Sequence, residues 1–133
     1  MAQATVRWIE GKRFIGIDST NHSVVLSTPS DGVGMKPSEL LLVSLAGCTA
    51  VDVVDILQKK RIPLTKLEIQ TSAEQDPEPP WTFRKIHLKY ILQGDGLTEK
   101  DAEQAIRLSE EKYCSVAATL SGKAEITWDY QIL

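Results

Sequence analysis

The two cysteines are the residues of this chain whose type and placement suggest a reaction. Cys48 lies near the middle of the most apolar segment, residues 37–57, and Cys114 lies where a short apolar segment begins. A cysteine buried in an apolar helix is usually inert, because desolvation disfavours the thiolate. Two cysteines on two helices could instead form a redox pair that cycles between dithiol and disulfide. The residues alone leave both interpretations open.

The surroundings of each thiol bear on its reactivity in a different way. Gly47 directly precedes Cys48, so a ligand or a second backbone could approach that sulfur closely. Cys114 is predicted at a helix N-terminus beside Lys112, where the helix dipole and a cation both lower the pKa of a thiol. Taken singly, the two positions predict a raised pKa for Cys48 and a lowered pKa for Cys114.

Two acidic residues follow Cys48 along its predicted helix. Asp52 and Asp55 lie four and seven positions further on, which places them on the same face as the thiol. Carboxylates are unusual on so apolar a helix. They could bind a basic partner, but we favour the interpretation that they mark where the helix reaches solvent.

The N-terminal segments alternate apolar and polar residues with the period of strands. Residues 5–9, 13–17 and 23–27 are separated by turn-forming clusters, which predicts a three-stranded antiparallel meander. A helix is predicted from about residue 37 to residue 60, with Pro37 as its first residue. Because apolar residues cover its full circumference, it must be covered on all sides. A second subunit is the natural cover, so we expect an obligate homodimer.

The rest of the chain adds strands and helices of an α+β fold. Thr98 and Asp101 resemble a capping box at the start of a helix. We expect a single domain over residues 1–133, with antiparallel sheets and a few helices. The predicted elements are strands at residues 67–73, 82–92 and 125–132, and helices at residues 98–113 and 114–120.

Composition excludes some classes of partner. The formal net charge is −3, and the 15 basic residues are scattered, which predicts no nucleic acid and no anionic membrane as a partner. The uncharged run of residues 40–51 is too short to span a bilayer. Two cysteines and an N-terminus that reads directly as a strand predict a cytoplasmic protein, where thiols stay reduced.

A metal site is the weakest of the chemical interpretations. Its candidate ligands are Cys48, Cys114, His22 and His87, but no pair has the spacing of a metal-binding motif. His22 falls in a predicted turn and His87 in the middle of a predicted strand. We expect a surface or core role for both histidines and no bound metal ion.

Two segments of the chain resemble a known family when they are taken together. GMKPSELLLVSLAGCTAVDVVDIL, residues 34–57, and KYCSVAATLSGKAEITWDYQI, residues 112–132, resemble the OsmC/Ohr family of thiol-dependent peroxidases. The resemblance covers essentially the whole chain and points to the OsmC-like branch. It implies an intertwined homodimer with antiparallel sheets around two central cysteine-bearing helices, and an active site at the subunit interface.

The resemblance also implies a role for each thiol. Cys48 would be the peroxidatic thiol, which attacks an organic hydroperoxide and becomes a sulfenic acid. Cys114 would be the resolving thiol, which condenses with the sulfenic acid to form a disulfide. An external dithiol would then reduce that disulfide. No metal or organic cofactor is implied, and the activity would serve defence against oxidative stress.

The family holds its peroxidatic thiolate with an arginine and a glutamate. Arg13 is the candidate arginine and Arg7 is its competitor. Either residue could instead be a solvent-exposed strand residue without a catalytic role. Where the family has its glutamate, this chain has Ser38, and the carboxylate is Glu39. One position on a helix is a rotation of roughly 100°. Because of this departure an alternative function stays open beside the peroxidase, namely a catalytically weak or inactive dimer that binds a small molecule or senses redox state.

Overall fold

A computed structural model describes residues 1–133, which fall into two compact units, Met1–Leu41 and Leu42–Leu133. The long helix α1, Pro37–Lys59, begins in the first unit and continues through the start of the second. That the whole chain acts as a single domain stays a prediction.

The N-terminal unit contains the predicted meander. Strands β1, Ala4–Glu10, β2, Arg13–Asp18, and β3, Ser23–Ser27, pair in that order, and both pairs are antiparallel. The turn between β2 and β3 is closed by the Asp18 carboxylate, which accepts hydrogen bonds from the backbone N–H groups of Thr20 and His22. The prediction of this unit is therefore confirmed.

Helix α1 buries one line of side chains and leaves another uncovered. Leu45, Thr49, Val53 and Leu57, four residues apart, are fully buried in the core of the C-terminal unit. By length and apolar composition alone this helix could also cross a membrane. Its buried line belongs instead to a cluster of core residues shared with strands and helices of the same unit.

The C-terminal sheet combines both kinds of strand pairing. Strands β4, Leu64–Gln75, and β5, Phe83–Gly94, are antiparallel, whereas β6, Glu125–Ile132, pairs with β5 in parallel. The prediction of purely antiparallel sheets was wrong here. Two helices separate β5 from β6. A connection of that length can return the chain to the end of the sheet where β5 began, so that β6 runs in the same direction as β5.

The segment between β5 and β6 carries the second cysteine. Helix α2, Glu99–Leu108, is capped by Thr98, whose hydroxyl accepts the backbone N–H of Asp101 at 3.2 Å, as predicted. The chain then widens into a π-helical turn, Ser109–Tyr113, before helix α3, Ser115–Leu120. The predicted uniform helix to residue 113 misses this turn. Cys114 lies between the two as the N-cap of α3.

Candidate active site

The two thiols lie side by side in the C-terminal unit. The sulfur atoms of Cys48 and Cys114 and a carboxylate oxygen of Asp52 all lie within 4.8 Å of one another. Both cysteines are free; Cys48 is half-buried and Cys114 is 2% exposed. Of the two interpretations that the sequence left open, this geometry favours a redox pair.

Local backbone geometry explains how Cys114 reaches this position. The π-helical turn closes with a hydrogen bond from the Cys114 N–H to the Ser109 carbonyl at 2.8 Å, five residues back. The Cys114 backbone then leaves the helix, with φ −77° and ψ 108°, so its side chain can cap the next one. Its sulfur accepts the Ala117 N–H at 3.3 Å.

Hydrogen bonding separates the acidities of the two thiols. Burial raises the pKa of Cys48, but the Cys114 thiol donates to its sulfur, and further donors come from Ser115 and Val116. Together these donors lower the pKa of Cys48 below its ordinary value. Burial, together with the neighbouring Cys48, raises the pKa of Cys114 to about 12. The thiolate therefore belongs on Cys48 and the proton on Cys114.

This ordering reverses what each position predicted by itself. A lowered pKa for Cys114 was wrong, because its burial and its neighbouring sulfur outweigh the helix N-terminus. Lys112 lies over the Tyr113 ring, 5.3 Å from its centroid. A raised pKa for Cys48 was wrong as well, because the second sulfur is a hydrogen-bond donor that sequence position cannot reveal.

Asp52 is half-buried and belongs to the site. Its Oδ2 accepts a hydrogen bond from the hydroxyl of the fully buried Ser109 at 2.8 Å. Asp55 is exposed and pairs with Lys59 at 3.1 Å, as expected where the helix reaches solvent. One turn of helix between Cys48 and Asp52 was the signal in the sequence, because residues four apart share a face.

Behind the thiols lies a network of polar groups that the sequence did not reveal. The Tyr90 hydroxyl donates to Glu110 Oε1 at 2.8 Å and lies 2.7 Å from the hydroxyl of Thr49, beside Cys48. Burial raises the pKa of Glu110, the Tyr90 hydrogen bond offsets part of that rise, and the charge of Asp52 adds to it. Burial also raises the pKa of Tyr90, which stays a neutral phenol.

The candidates for the arginine and glutamate of the family lie in the N-terminal unit. The Arg13 guanidinium pairs with Glu10 at 3.2 Å and with Asp31 at 3.8 Å. Glu39 pairs with Lys36 at 3.7 Å, so Arg13 and Glu39 do not pair with each other. Ser38 and the competitor Arg7 are exposed. The roles of these residues stay predictions.

The histidines do not join the thiols. His22 lies in the β2–β3 turn, 2.8 Å from the Thr20 hydroxyl. On β5, His87 contacts Thr127 at 2.7 Å and Asp129 at 2.8 Å. The group that could reach one metal ion instead consists of the two sulfurs and the Asp52 carboxylate. Three ligands are one fewer than a structural zinc site uses.

A cleft opens beside Asp52 in the same unit. Its volume is about 460 Å³, in the range of small-molecule sites. The apolar side chains of Ile56, Leu108 and Tyr113 line it together with Asp52, Asp55 and Lys59. Of its lining residues, Asp52 is the one that also lies within 4.8 Å of both sulfurs.

The fold and the paired thiols define an α+β protein with a dithiol site. The sequence profile of the family described as "OsmC-like protein" matches residues 29–129, and the chain belongs to this family. It is 37% identical to Protein YhfA of Escherichia coli (strain K12) over 131 residues, which are 98% of each chain. The OsmC/Ohr prediction is confirmed at the level of the family.

Solved structures share the fold. An OsmC-like protein from Mycoplasma pneumoniae superposes with a TM-score of 0.87 at 18% identity, over 100% of this chain and 97% of that one. The organic hydroperoxide resistance protein OhrB of Bacillus subtilis superposes with a TM-score of 0.66 at 17% identity, over 98% of both chains. At these identities the likeness concerns the fold, and the α+β prediction is confirmed.

Proposed function

We propose that this protein is a thiol-dependent peroxidase that reduces organic hydroperoxides in defence against oxidative stress. The observation that carries the proposal is the contact between a thiol of lowered pKa, Cys48, and a protonated thiol, Cys114. A thiolate is the nucleophile of such a reaction, and a second thiol at contact distance can resolve the product. The two groups thus have complementary roles.

The first step oxidises Cys48 by two electrons. Its thiolate attacks the distal oxygen of the hydroperoxide, a sulfur–oxygen bond forms, and the oxygen–oxygen bond breaks. The alkoxide takes up a proton and leaves as an alcohol, while Cys48 becomes a sulfenic acid. Cys114 then forms the disulfide as water leaves. An external dithiol restores both thiols, so no metal or organic cofactor takes part.

Two observations support an organic substrate. Structural relatives carry the name organic hydroperoxide resistance protein, OhrB of Bacillus subtilis among them. The cleft beside Asp52 presents Ile56, Leu108 and Tyr113, which suit an alkyl or aryl group better than hydrogen peroxide. We propose that the hydroperoxide places its organic group in this cleft and its oxygens at Cys48.

A homodimer is part of the proposal, and the uncovered face of α1 supports it. Val43 and Val51 are 50% and 69% exposed. Between them, a Cβ at Gly47 would meet no atom within 4 Å, so the packing of this chain does not require a glycine there. Glycine in a helix interior costs roughly 0.5–1 kcal/mol relative to alanine. Close approach of a second chain to α1 would explain why a glycine is present there despite this cost.

The proposed roles of the arginine, serine and glutamate candidates also depend on the proposed dimer. We propose that Arg13, with Arg7 as the competitor, provides the cation that the Cys48 thiolate needs in the assembled protein. Ser38 and Glu39 are the secondary candidates that would hold that arginine. The cytoplasm, where thiols are regenerated by reductants, is the proposed location.

Peroxide consumption by the reduced protein tests the proposal. With cumene hydroperoxide and dithiothreitol, the wild type should turn over repeatedly and should prefer this substrate to hydrogen peroxide. Cys48→Ser should abolish consumption. Cys114→Ser, reduced beforehand and then freed of dithiothreitol, should keep one fast turnover and accumulate a sulfenic acid that dimedone traps. The two variants are matched controls, since each removes one sulfur. Sustained turnover by Cys48→Ser would exclude the assignment.

One observation favours the alternative function, a weak or inactive dimer that binds a small molecule or senses redox state. Arg13 and Glu39 have separate partners, so the arginine–glutamate pair of the family is not formed in this chain. The alternative predicts slow alkylation of Cys48 by iodoacetamide at neutral pH and no peroxide consumption. Fast alkylation with turnover supports the peroxidase.

A further inference from the structure

Disulfide formation requires Cys114 to lose a proton, and the site must provide a group that accepts it. Cys114 is buried, and burial raises its pKa to about 12, so little thiolate forms spontaneously at neutral pH. The Ala117 N–H stabilises the sulfur but cannot take a proton. A base near the sulfur would remove this obstacle.

Asp52 is placed to be that base. Its carboxylate lies within 4.8 Å of both sulfurs, a separation that a single water molecule bridges. The Ser109 hydroxyl holds Oδ2 at 2.8 Å, and Asp52 forms no salt bridge, so its other oxygen is not engaged by a cation. The π-helical turn contains Ser109 and leads directly to Cys114. The segment that carries the thiol therefore also holds the Asp52 carboxylate, which lies on α1.

Other carboxylates near the site are less suited to this task. Glu110 already accepts the Tyr90 hydroxyl, and its pKa is raised by burial, so it retains its own proton more readily. Asp55 is exposed and paired with Lys59. Glu39 is exposed and paired with Lys36 in the other unit.

We propose that Asp52 is the base that accepts the Cys114 proton as the disulfide forms. The inference rests on the proposed function and names the group that serves its second step. The Cys114 S–H bond breaks, and its electron pair forms the bond to the Cys48 sulfur while the sulfur–oxygen bond of the sulfenic acid breaks. The departing hydroxide takes the proton from Asp52 and leaves as water. The carboxylate is regenerated, and no further reactant is consumed.

An aromatic disulfide isolates this step from peroxide chemistry. Dithiobis(nitrobenzoate) transfers an aryl thiol to Cys48 of the reduced protein and releases one equivalent of coloured thionitrobenzoate. Cys114 then attacks the mixed disulfide and releases a second equivalent. The departing aryl thiolate needs no proton, so the second phase reports the deprotonation and attack of Cys114. Cys114→Ser should release one equivalent only.

Asp52→Asn should slow the second phase by roughly 10²-fold or more, the usual contribution of a positioned base, and leave the first phase at least as fast. Glu68→Gln is the control, since it neutralises an exposed carboxylate on β4 of the same unit that contacts only Gln70, and it should change neither phase. Ser109→Ala, which releases the anchored oxygen, should slow the second phase less and in the same direction. If Asp52→Asn does not fold, Ser109→Ala and Asp52→Glu test the same role of the carboxylate.

Two results would overturn the inference. An Asp52→Asn protein with a second phase like that of the wild type would show that Asp52 accepts no proton. Equal slowing of both phases would show that Asp52 only maintains the structure of the site. Since the assay contains no hydroperoxide, failure of the proposed function appears separately, as cumene hydroperoxide that the wild type does not consume.

Discussion

The Tyr90 hydroxyl joins two side chains behind the dithiol, and its removal tests whether this network stabilises the fold. Tyr90 and Thr49 are both fully buried, and their oxygens lie 2.7 Å apart. The same phenol donates to the half-buried Glu110 at 2.8 Å. Tyr90→Phe removes one oxygen and leaves both neighbours without their partner, while the aromatic ring and its packing remain.

The expected cost follows from the burial of the groups left unpaired. A buried polar group without a partner costs about 1–3 kcal/mol. Thr49 should bear this cost in full, whereas Glu110, which is half-buried, can turn partly toward water. We therefore expect Tyr90→Phe to lower the free energy of unfolding by about 2–4 kcal/mol.

A double-mutant cycle separates the network from the loss of one oxygen. Thr49→Val on the Tyr90→Phe background removes the orphaned hydroxyl and keeps the volume of the side chain. The double variant should therefore be more stable than the sum of the single effects predicts, by about 1–2 kcal/mol. Urea unfolding followed by far-UV circular dichroism, under reducing conditions and at one protein concentration, provides the measurement.

Tyr130→Phe provides the matched control. Tyr130 lies opposite Tyr90 on the neighbouring strand β6, and its hydroxyl donates to Glu103 at an exposed site. We expect a change of about 0.5 kcal/mol or less. If Tyr90→Phe cost no more than this control, or if the cycle were strictly additive, the reasoning from buried unpaired groups would be refuted.

Three further predictions concern the thiols, the dimer and Glu110. Alkylation of Cys48 by iodoacetamide should show a pH midpoint below that of a free thiol, and Cys114→Ala should raise it, because a donor to the thiolate is lost; an unchanged midpoint would contradict this. Val51→Lys should convert the proposed dimer to a monomer in size-exclusion chromatography with light scattering, since it places a charge on the proposed interface; a persistent dimer would locate the interface elsewhere. A raised pKa means that the stability from protonated Glu110 is complete below its unfolded-state pKa and is lost as pH rises through its folded-state pKa. Glu110→Gln should therefore match the wild type in acid and be more stable than the wild type at neutral pH. Urea unfolding at several pH values measures this, and parallel plots of unfolding free energy against pH for the two proteins would contradict it.

The sequence predicted those parts of the fold that local patterns determine. Alternation located the strands of the N-terminal meander, and Pro37 located the start of α1 to the residue. The parallel pairing of β6 with β5 could not be predicted, because the alternation of residues in a strand does not show which strand it pairs with or in which direction. The π-helical turn was missed for a similar reason, since its residues carry no local signal that distinguishes it from α-helix.

The candidate site followed the same division. Both thiols were identified from the sequence, and the structure places them together. Their relative acidity was reversed, because it depends on a hydrogen bond between residues that are distant in the chain. Asp52 was visible as a carboxylate one turn after Cys48, but only its contact with Ser109 turns it from a surface residue into part of the site.

The π-helical turn has a consequence for which changes this protein can accept. Glu111 and Lys112 project into solvent, so the turn should tolerate many side chains at these positions. Its length is a different matter, because the hydrogen bond from Cys114 back to Ser109 spans one residue more than an α-helix would. Deleting any residue of this turn would rotate the second sulfur by roughly 100°. We therefore expect relatives that keep both thiols to vary in composition here while preserving the number of residues.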